Sequence, residues 1–214
     1  FPAETVLTLR KSAGDDAPFY VIDLVDFELV TPPLPCPPDA LPVTEFGATA
    51  DDGTDDTAAL RKCVAEAKKQ GKKVYIPRGV FRQDGILELD NVTVCGAGMW
   101  HSTLMTHVLP SDKGPWNGNL GFRLAGRNIR VSDLHVIGFS RRRGKPFQRG
   151  VVGSGENFEL RNLWIERCGV GIWIGNCRDG VIRNCRFRNN KADGINVNNN
   201  SHRVLIENCH ARGN

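Results

Sequence analysis

The C-terminal half of the chain carries an imperfect repeat, and this repeat constrains the fold more than any other feature. Four segments align with one another, and they begin at Asn128, Asn157, Asp179 and Arg203, which spaces their starts by 29, 22 and 24 residues. A period in the twenties, with short strand-like runs and no helical spacing, is typical of a solenoid. We therefore predict an all-β fold, a right-handed parallel β-helix in which each repeat forms one coil.

Two neighbouring columns of the repeat support this interpretation. Asn at a tight turn tolerates the left-handed conformation and can hydrogen-bond its equivalent on the next coil, about 4.8 Å away. Leu or Cys in the following column would fill the interior, so Cys185 and Cys209 are predicted to be packed thiols rather than metal ligands. Leucine-rich repeats share the period, but their Leu-x-x-Leu-x-Leu pattern is absent. The turn column comprises Asp133, Asn162, Asn184 and Asn208.

Composition divides the chain into four parts. Residues 1–30 alternate apolar and polar positions as strands of a β-rich module do, and residues 31–42 carry six prolines, which predicts an extended linker. Residues 43–90 are predicted to cap the β-helix, because Leu60, Cys63, Val64 and Ala67 have the spacing of an amphipathic helix that ends near Gly71. Residues 91–214 would form the coils, and the helix would cover the open edge of the first coil.

Charge and motifs restrict the classes of partner. The net charge is +4, and the one dense basic run is at residues 141–143, so we expect neither nucleic acid nor a membrane as a partner. Seven cysteines without a C-x-x-C pair, and no phosphate-binding glycine loop, predict no cofactor. The acid-rich loop at residues 51–56 lacks the spacing of a calcium loop and suits helix capping better, so a structural calcium ion has no clear motif. We expect a monomer.

A second strand in each coil supplies the candidate site. Aligned segments place Arg149, Val170 and Asp193 in one column, each followed by glycine, and the position three residues further on holds Val152, Trp173 and Asn196. The second column should face outward if its neighbours face the core. Such a strip would form the flat floor of a groove for an extended polysaccharide, bordered by the loop at residues 141–149.

The candidate substrate-binding residues are those with aromatic, amide or basic side chains near this strip. Asp193 is the candidate catalytic acid, although it could equally turn the chain before Gly194. A glycosidase needs two carboxyl groups across the scissile bond, and one further coil of 24 residues would place the next member of the column at position 217, after the last residue. The predicted substrate-binding residues are Arg149, Trp173, Asn196, Asn198 and His210, and no metal ligand is predicted.

Several segments resemble known families. Residues 46–57 (FGATADDGTDDT) and 74–79 (VYIPRG) are similar to the entry segment of pectin-lyase-like β-helix proteins. Residues 192–197 (ADGINV) and 204–209 (VLIENC) resemble glycoside hydrolase family 87, the mycodextranases and α-1,3-glucanases, and residues 19–28 are similar to the end of the carbohydrate-binding β-sandwich that precedes its catalytic β-helix. The resemblance implies a secreted, inverting enzyme in which Asp193 helps to activate water.

That family also carries two consecutive aspartates on the next coil, as general acid and second base, and this sequence ends about where they would begin. The function expected is hydrolysis of α-1,3-glucan, or of alternating α-1,3/α-1,4-glucan, with the 214-residue chain alone inactive. Two alternatives remain at this point. One is polygalacturonase-like hydrolysis, for which Arg149 would suit an acidic substrate, and the other is a non-catalytic, polysaccharide-binding β-helix.

Overall fold

A computed structural model describes residues 28–106, 120–140 and 148–214, together with residues 5, 6, 8, 10 and 14 near the N-terminus. The chain divides into two units, Phe1–Thr31 and Pro32–Asn214. The strands predicted within residues 1–30 and the basic run at residues 141–143 lie outside the described residues. Within the described residues, no helix is both long enough and apolar enough to cross a bilayer.

The described part of the second unit consists of parallel strands and one α-helix, which follows the first strand. The helix α1 spans Thr57–Gln70, and a 3-10 helix spans Val43–Phe46. The strands are β1 (Ala40–Pro42), β2 (Lys73–Ile76), β3 (Gly79–Arg82), β4 (Leu87–Leu89), β5 (Thr93–Gly96), β6 (Ser102–Met105), β7 (Phe122–Leu124), β8 (Arg127–Ile137), β9 (Arg149–Gly153), β10 (Glu156–Glu166), β11 (Val170–Gly175), β12 (Arg178–Arg183), β13 (Arg186–Arg188), β14 (Asp193–Asn198), β15 (His202–Glu207) and β16 (His210–Arg212).

These strands form three faces of a coiled stack. The first face is the sheet β4-β7-β9-β11-β14. The long strands β8 and β10 bend: their first halves join β1, β2, β5, β12 and β15 in the second face, and their second halves join β3, β6, β13 and β16 in the third face. Every strand pairing is parallel, which confirms the right-handed parallel β-helix predicted from the repeat.

Left-handed residues make the corners of each coil. The predicted turn column, Asp133, Asn162, Asn184 and Asn208, has φ values of 62°, 51°, 53° and 50°. The Asn162 amide donates a hydrogen bond of 2.8 Å to Asp133 Oδ1 on the preceding coil, as the ladder interpretation predicts. The first column of the repeat forms a second corner with positive φ, a feature that the sequence analysis did not assign; its members are Asn128, Asn157, Asp179 and Arg203.

The interior follows the columns as well. Leu134, Leu163 and Cys185 are buried in one column, and Cys209 on the last coil is partly exposed. A hydrogen bond with Cys209 and burial both raise the pKa of the Cys185 thiol. All seven cysteines are unpaired. Cys185 therefore occupies the interior as a small apolar side chain, in line with the packing role predicted for it.

The helix α1 lies at the N-terminal end of the stack, where the cap was predicted. Its buried residues include Leu60, Cys63, Val64 and Ala67, and it contacts β1, β2 and β4. Gly71 ends it in the left-handed conformation, with φ of 65°. At its start, Asp55 Oδ1 accepts hydrogen bonds from the Thr57 backbone amide at 3.0 Å and from its hydroxyl at 2.6 Å.

Two predicted boundaries differ from the structure. Strands β2, β3 and β4, predicted to belong to the cap, already pair with β5, β6 and β7 as coil strands. The proline-rich segment, predicted as a linker, also joins the second unit. Leu34 donates to the Ala97 carbonyl at 2.8 Å and accepts from the Tyr75 hydroxyl at 2.7 Å, while Ala40 pairs with Lys73. A proline lacks only its own amide, so the other residues of such a segment can still pair.

The corner ladder predicts an order of stability for two variants of Asn162. Asn162→Gly keeps the left-handed corner and loses the hydrogen bond to Asp133, which we expect to cost about 1 kcal/mol. Asn162→Ala loses the same bond and keeps a Cβ in the left-handed region without the polar side chain that lets asparagine tolerate it, which should make its loss about 1 kcal/mol larger than that of the glycine variant. The measurement is urea unfolding of both variants and the wild type. Equal losses for the two variants would show that the backbone conformation of this corner carries no energetic weight.

Candidate functional site

The first face brings together the columns that were aligned in the sequence. Val170 pairs with Arg149 on one side and with Asp193 on the other, and Trp173 pairs with Val152 and Asn196. The register predicted for these strands is therefore the observed one. Because side chains at equivalent positions of a parallel stack lie about 4.8 Å apart, residues far apart in the sequence line one surface.

A glycine follows each member of the Asp193 column and packs closely against its surroundings. A Cβ at Gly171 would lie 2.4 Å from the Gly194 carbonyl oxygen, and a Cβ at Gly194 would lie 3.0 Å from the Cβ of buried Phe187. Position 194 therefore faces buried Phe187 and has little room for a side chain. The Asp193 carboxylate lies on the same side as the Asn196 amide, which donates to it, and Arg149 of the same column contacts the Trp173 ring, so this column faces the cleft; Asp193 is half-buried.

A chain of hydrogen bonds holds the Asp193 carboxylate. The Asn196 amide donates to Asp193 Oδ2 at 3.0 Å, and the Asn198 amide donates to Asn196 Oδ1 at 3.1 Å. The remaining oxygen, Asn198 Oδ1, is buried and has no hydrogen-bond partner among the described residues. The arrangement orients the carboxylate and leaves one amide oxygen able to accept a further donor.

A cleft of about 430 Å³ lies over this face, next to the hydrogen-bond chain. Its lining includes three of the predicted substrate-binding residues, Arg149, Trp173 and Asn198. The Arg149 guanidinium lies 4.7 Å from the centre of the Trp173 ring, a cation–π contact that restrains the ring. Burial, and to a lesser degree the charge of Arg123, lower the pKa of Arg149 to about 10, so its side chain is still charged at neutral pH.

Two residues of the first face were missed by the sequence analysis. Arg123 lines the cleft and pairs with Val152, and Glu88 on the preceding coil lies 3.4 Å from Arg123 in an ion pair. Both sit in the middle of three-residue strands, Leu-Glu-Leu and Phe-Arg-Leu. That shared apolar-charged-apolar pattern was the available signal, but runs of three residues are too short to align by periodicity.

The structure does not bring His210 together with Asp193. His210 lies on β16 in the third face, paired with Arg186, whereas Asp193 begins β14 in the first face. Trp164, whose aromatic ring also suits a sugar, lies on the third face as well. It stacks on His135 with ring centres 4.3 Å apart. Of the six predicted site residues, the first face holds Asp193, Arg149, Trp173, Asn196 and Asn198.

The acid-rich loop does not gather its carboxylates around a common point. Asp51 accepts from the Val80 amide at 3.0 Å, Asp52 from the Thr54 amide at 2.8 Å, and Asp56 from the Thr49 amide at 2.9 Å. Burial is the largest influence on Asp56 and raises its pKa. Within the described ranges, no three His, Cys, Asp or Glu side chains are placed to hold a metal ion.

Solved structures similar to this chain include catalytic domains of GH87 α-1,3-glucanases. The catalytic domain of Agl-KA superposes with a TM-score of 0.77 at 28% identity, covering 87% of this chain and 35% of that one. The catalytic unit of a thermostable GH87 α-1,3-glucanase from Streptomyces thermodiastaticus gives a TM-score of 0.76 at 30% identity, covering 87% and 33%. A GH87 α-1,3-glucanase catalytic domain in complex with nigerose gives 0.68 at 25% identity, covering 87% and 32%.

Curated relatives include the preneck appendage proteins of Bacillus phages PZA and phi29. Each is 29% identical over 186 residues, which cover 80% of this chain and 20% of the phage protein. The chain thus spans about a fifth of these relatives and about a third of the solved glucanase domains. A family model described as the alpha-1,3-glucanase catalytic domain D2 matches residues 52–214. This chain therefore belongs to the GH87 family of α-1,3-glucanase catalytic domains.

Proposed function

We propose that the protein hydrolyses α-1,3-glucan, or alternating α-1,3/α-1,4-glucan, and that the glucan lies along the first face. The observation that carries this proposal is the Asp193 carboxylate, which faces outward and is oriented by Asn196 beside a cleft lined by Trp173 and Arg149. A carboxylate held next to an aromatic and amide surface supplies one of the two carboxyl groups that glycoside hydrolysis requires, beside a surface that suits a sugar. Membership of the GH87 family supports α-1,3-linked glucan as the substrate.

Binding of the sugar would depend on Trp173 and Asn198. The Trp173 ring, restrained by Arg149, offers a flat apolar surface to a sugar ring. Asn198, which lines the cleft, would hydrogen-bond a sugar hydroxyl through its amide group. Related GH87 domains have been solved in complex with nigerose and with tetrasaccharides, which supports a site for an extended chain.

The mechanism we propose is inversion, with Asp193 helping to activate the attacking water. On the described coils, the residues next to Asp193 in its column are Val170 and Arg149, and neither has a carboxyl group. The general acid would therefore come from another coil. Two consecutive aspartates on the coil stacked against β14 would supply it. Inverting enzymes separate their carboxyl groups by about 6.5–9.5 Å, which fits diagonal neighbours in a sheet better than directly stacked ones at about 4.8 Å. The described residues alone would then bind glucan without cleaving it.

Because a polymeric glucan does not enter cells, we place the enzyme outside the cell, and we propose that it acts as a monomer. The match to phage appendage proteins favours a second candidate, a non-catalytic β-helix that binds polysaccharide. In that case Asp193 would serve only to turn the chain before Gly194. The two candidates share the binding surface and differ in catalysis, so they need separate tests.

Replacement of Trp173 tests the binding surface. We expect Trp173→Ala to weaken adsorption of the 214-residue chain to insoluble α-1,3-glucan by about tenfold, because truncating a central aromatic contact commonly costs more than 1 kcal/mol. Trp173→Phe should lose less. The matched control is Trp100→Ala, a more exposed tryptophan that lies outside the cleft. The measurement is a depletion isotherm, repeated with polygalacturonate.

Unchanged adsorption of Trp173→Ala to α-1,3-glucan would contradict the proposed position of the substrate. If Trp173→Ala instead lost adsorption to polygalacturonate while α-1,3-glucan showed none, the cleft would belong to an acidic substrate, as in the polygalacturonase-like alternative. A loss with Trp100→Ala equal to that with Trp173→Ala would indicate non-specific adsorption through aromatic residues.

Replacement of Asp193 tests catalysis in a protein that continues beyond Asn214. Asp193→Asn should lower reducing-sugar release from α-1,3-glucan by about 10² to 10⁴, the usual contribution of a general acid or base, and should leave adsorption within about twofold. The control is Asp179→Asn, which removes a carboxylate from the second face. NMR of the fresh product should show the inverted anomer.

Full activity in Asp193→Asn would remove the proposed role of this residue. No hydrolysis by the wild-type longer protein, combined with adsorption that depends on Trp173, would favour the non-catalytic candidate. Hydrolysis by the 214-residue chain itself would show that the general acid lies within it.

A further inference from the structure

The outward residues of the first face form one column across five coils. Glu88, Arg123, Val152, Trp173 and Asn196 pair with one another in that order on β4, β7, β9, β11 and β14. Neighbouring members lie about 4.8 Å apart, so the column extends about 19 Å along the stack, at right angles to the strands. A linear polymer laid along the column from Asn196 would reach Arg123 on the third coil beyond it and Glu88 on the fourth.

Two clefts meet along this column. The lining of the first cleft, of about 430 Å³, runs from Asn198 on β14 to Arg123 and Ile86 at the other end. A second cleft, of about 500 Å³, lies between β4 and α1, and its lining includes Ile86 and Glu88. Ile86 lines both clefts, so the concave surface continues from β14 past Arg123 to the helix.

A charged pair occupies the end of the column far from Asp193. The Arg123 guanidinium lies 3.4 Å from the Glu88 carboxylate, and the two side chains are 47% and 66% exposed. An ion pair this exposed contributes little to folding, because water screens both charges. A guanidinium has five N–H donors and a carboxylate has two acceptor oxygens, so the two groups can contact each other and a polar ligand at the same time.

A neutral sugar suits this pair better than an acidic one. Each hydroxyl of a sugar can donate and accept hydrogen bonds, and the pair offers donors on Arg123 and acceptors on Glu88. The carboxylate of an acidic sugar would be attracted by Arg123 but repelled by Glu88, which lies 3.4 Å from that arginine. The pair therefore favours an uncharged polymer that carries hydroxyl groups, such as a glucan.

The two ends of the column would contact different sugars of one chain. Arg123 lies three coils from Asn196, a distance of about 14 Å along the stack. A disaccharide held against Asn196 and Trp173 is too short to reach Arg123 and Glu88 as well, whereas a longer oligosaccharide can contact both ends. Affinity should therefore depend on chain length, and the binding energy of the remote sugars becomes available to the reaction at the scissile bond.

We propose that Arg123 and Glu88 form a distal glucan-binding site, which contacts a sugar several units away from the bond cleaved at Asp193 and selects long chains over short ones. The inference rests on the proposed function of the first face. It adds the direction of the bound glucan, which runs along the stack from β14 toward α1, and it assigns a binding role to two residues at the end of that path.

The test is isothermal titration calorimetry of the 214-residue chain with the disaccharide nigerose and with a hexasaccharide of α-1,3-linked glucose. Arg123→Gln should weaken binding of the hexasaccharide by about tenfold and leave binding of nigerose within about twofold, because only the longer chain reaches this arginine. Glu88→Ala should give a smaller loss with the same selectivity, and it covers the case in which Arg123→Gln misfolds. The matched control is Arg212→Gln, which removes an exposed arginine from the third face.

Unchanged binding of the hexasaccharide by Arg123→Gln would overturn the inference and leave the proposed function intact. A loss of equal size for nigerose would also overturn it, because Arg123 would then contact the sugar held at Trp173. An equal loss of hexasaccharide binding in Arg212→Gln would do the same, since it would indicate a general effect of charge. If neither sugar bound the wild-type chain, or if Trp173→Ala left binding of nigerose unchanged, the proposed function of the first face would fail and this inference with it.

Discussion

The structure depends on parallel stacking of coils in register, with neighbouring backbones about 4.8 Å apart. Side chains cannot change this spacing, so each coil must turn at the same positions as the preceding coil. Residues such as Asp133 and Asn162 meet that requirement by adopting the left-handed conformation at each corner, and the Asn162 amide ties the two together. Gly171 meets it where a Cβ would strike the backbone of the next coil.

Stacking in register also explains why the three faces differ in chemistry. A column repeats its position on every coil, so a change of residue type along a column changes one face and leaves the others intact. The first face carries Trp173, Asn196 and Asp193, the second alternates acids with arginines, and the third ends in the paired strands β13 and β16. One scaffold can therefore present surfaces of different chemistry on its three faces.

The sequence predicts much of this arrangement because periodicity is a property of the backbone. The repeat gave the turn column at Asn162 and the register of Trp173 with Asn196, and both are confirmed. The repeat does not predict on which face a residue lies once the chain has passed a corner. His210 follows Asn208, where the chain bends from the second face to the third. An alignment of repeats shows which residues are equivalent on successive coils, but it does not show in which direction the chain turns between them. The residues of short strands such as β4 and β7 were not aligned for a different reason, because three residues are too few to show a period.

The position of Asp193 follows from the same constraint. Gly194 packs closely against buried Phe187, and Asp193 at the start of β14 lies beside Asn196, on the side of the first face that carries Trp173. Asn196 and Asn198 then fix the carboxylate through amide hydrogen bonds that lie within one strand and need no loop. A carboxylate that is held by its own strand has a fixed position on the first face. A second acid, diagonally placed on an adjacent coil, would be held equally rigidly, and the pair would keep the separation that inversion requires.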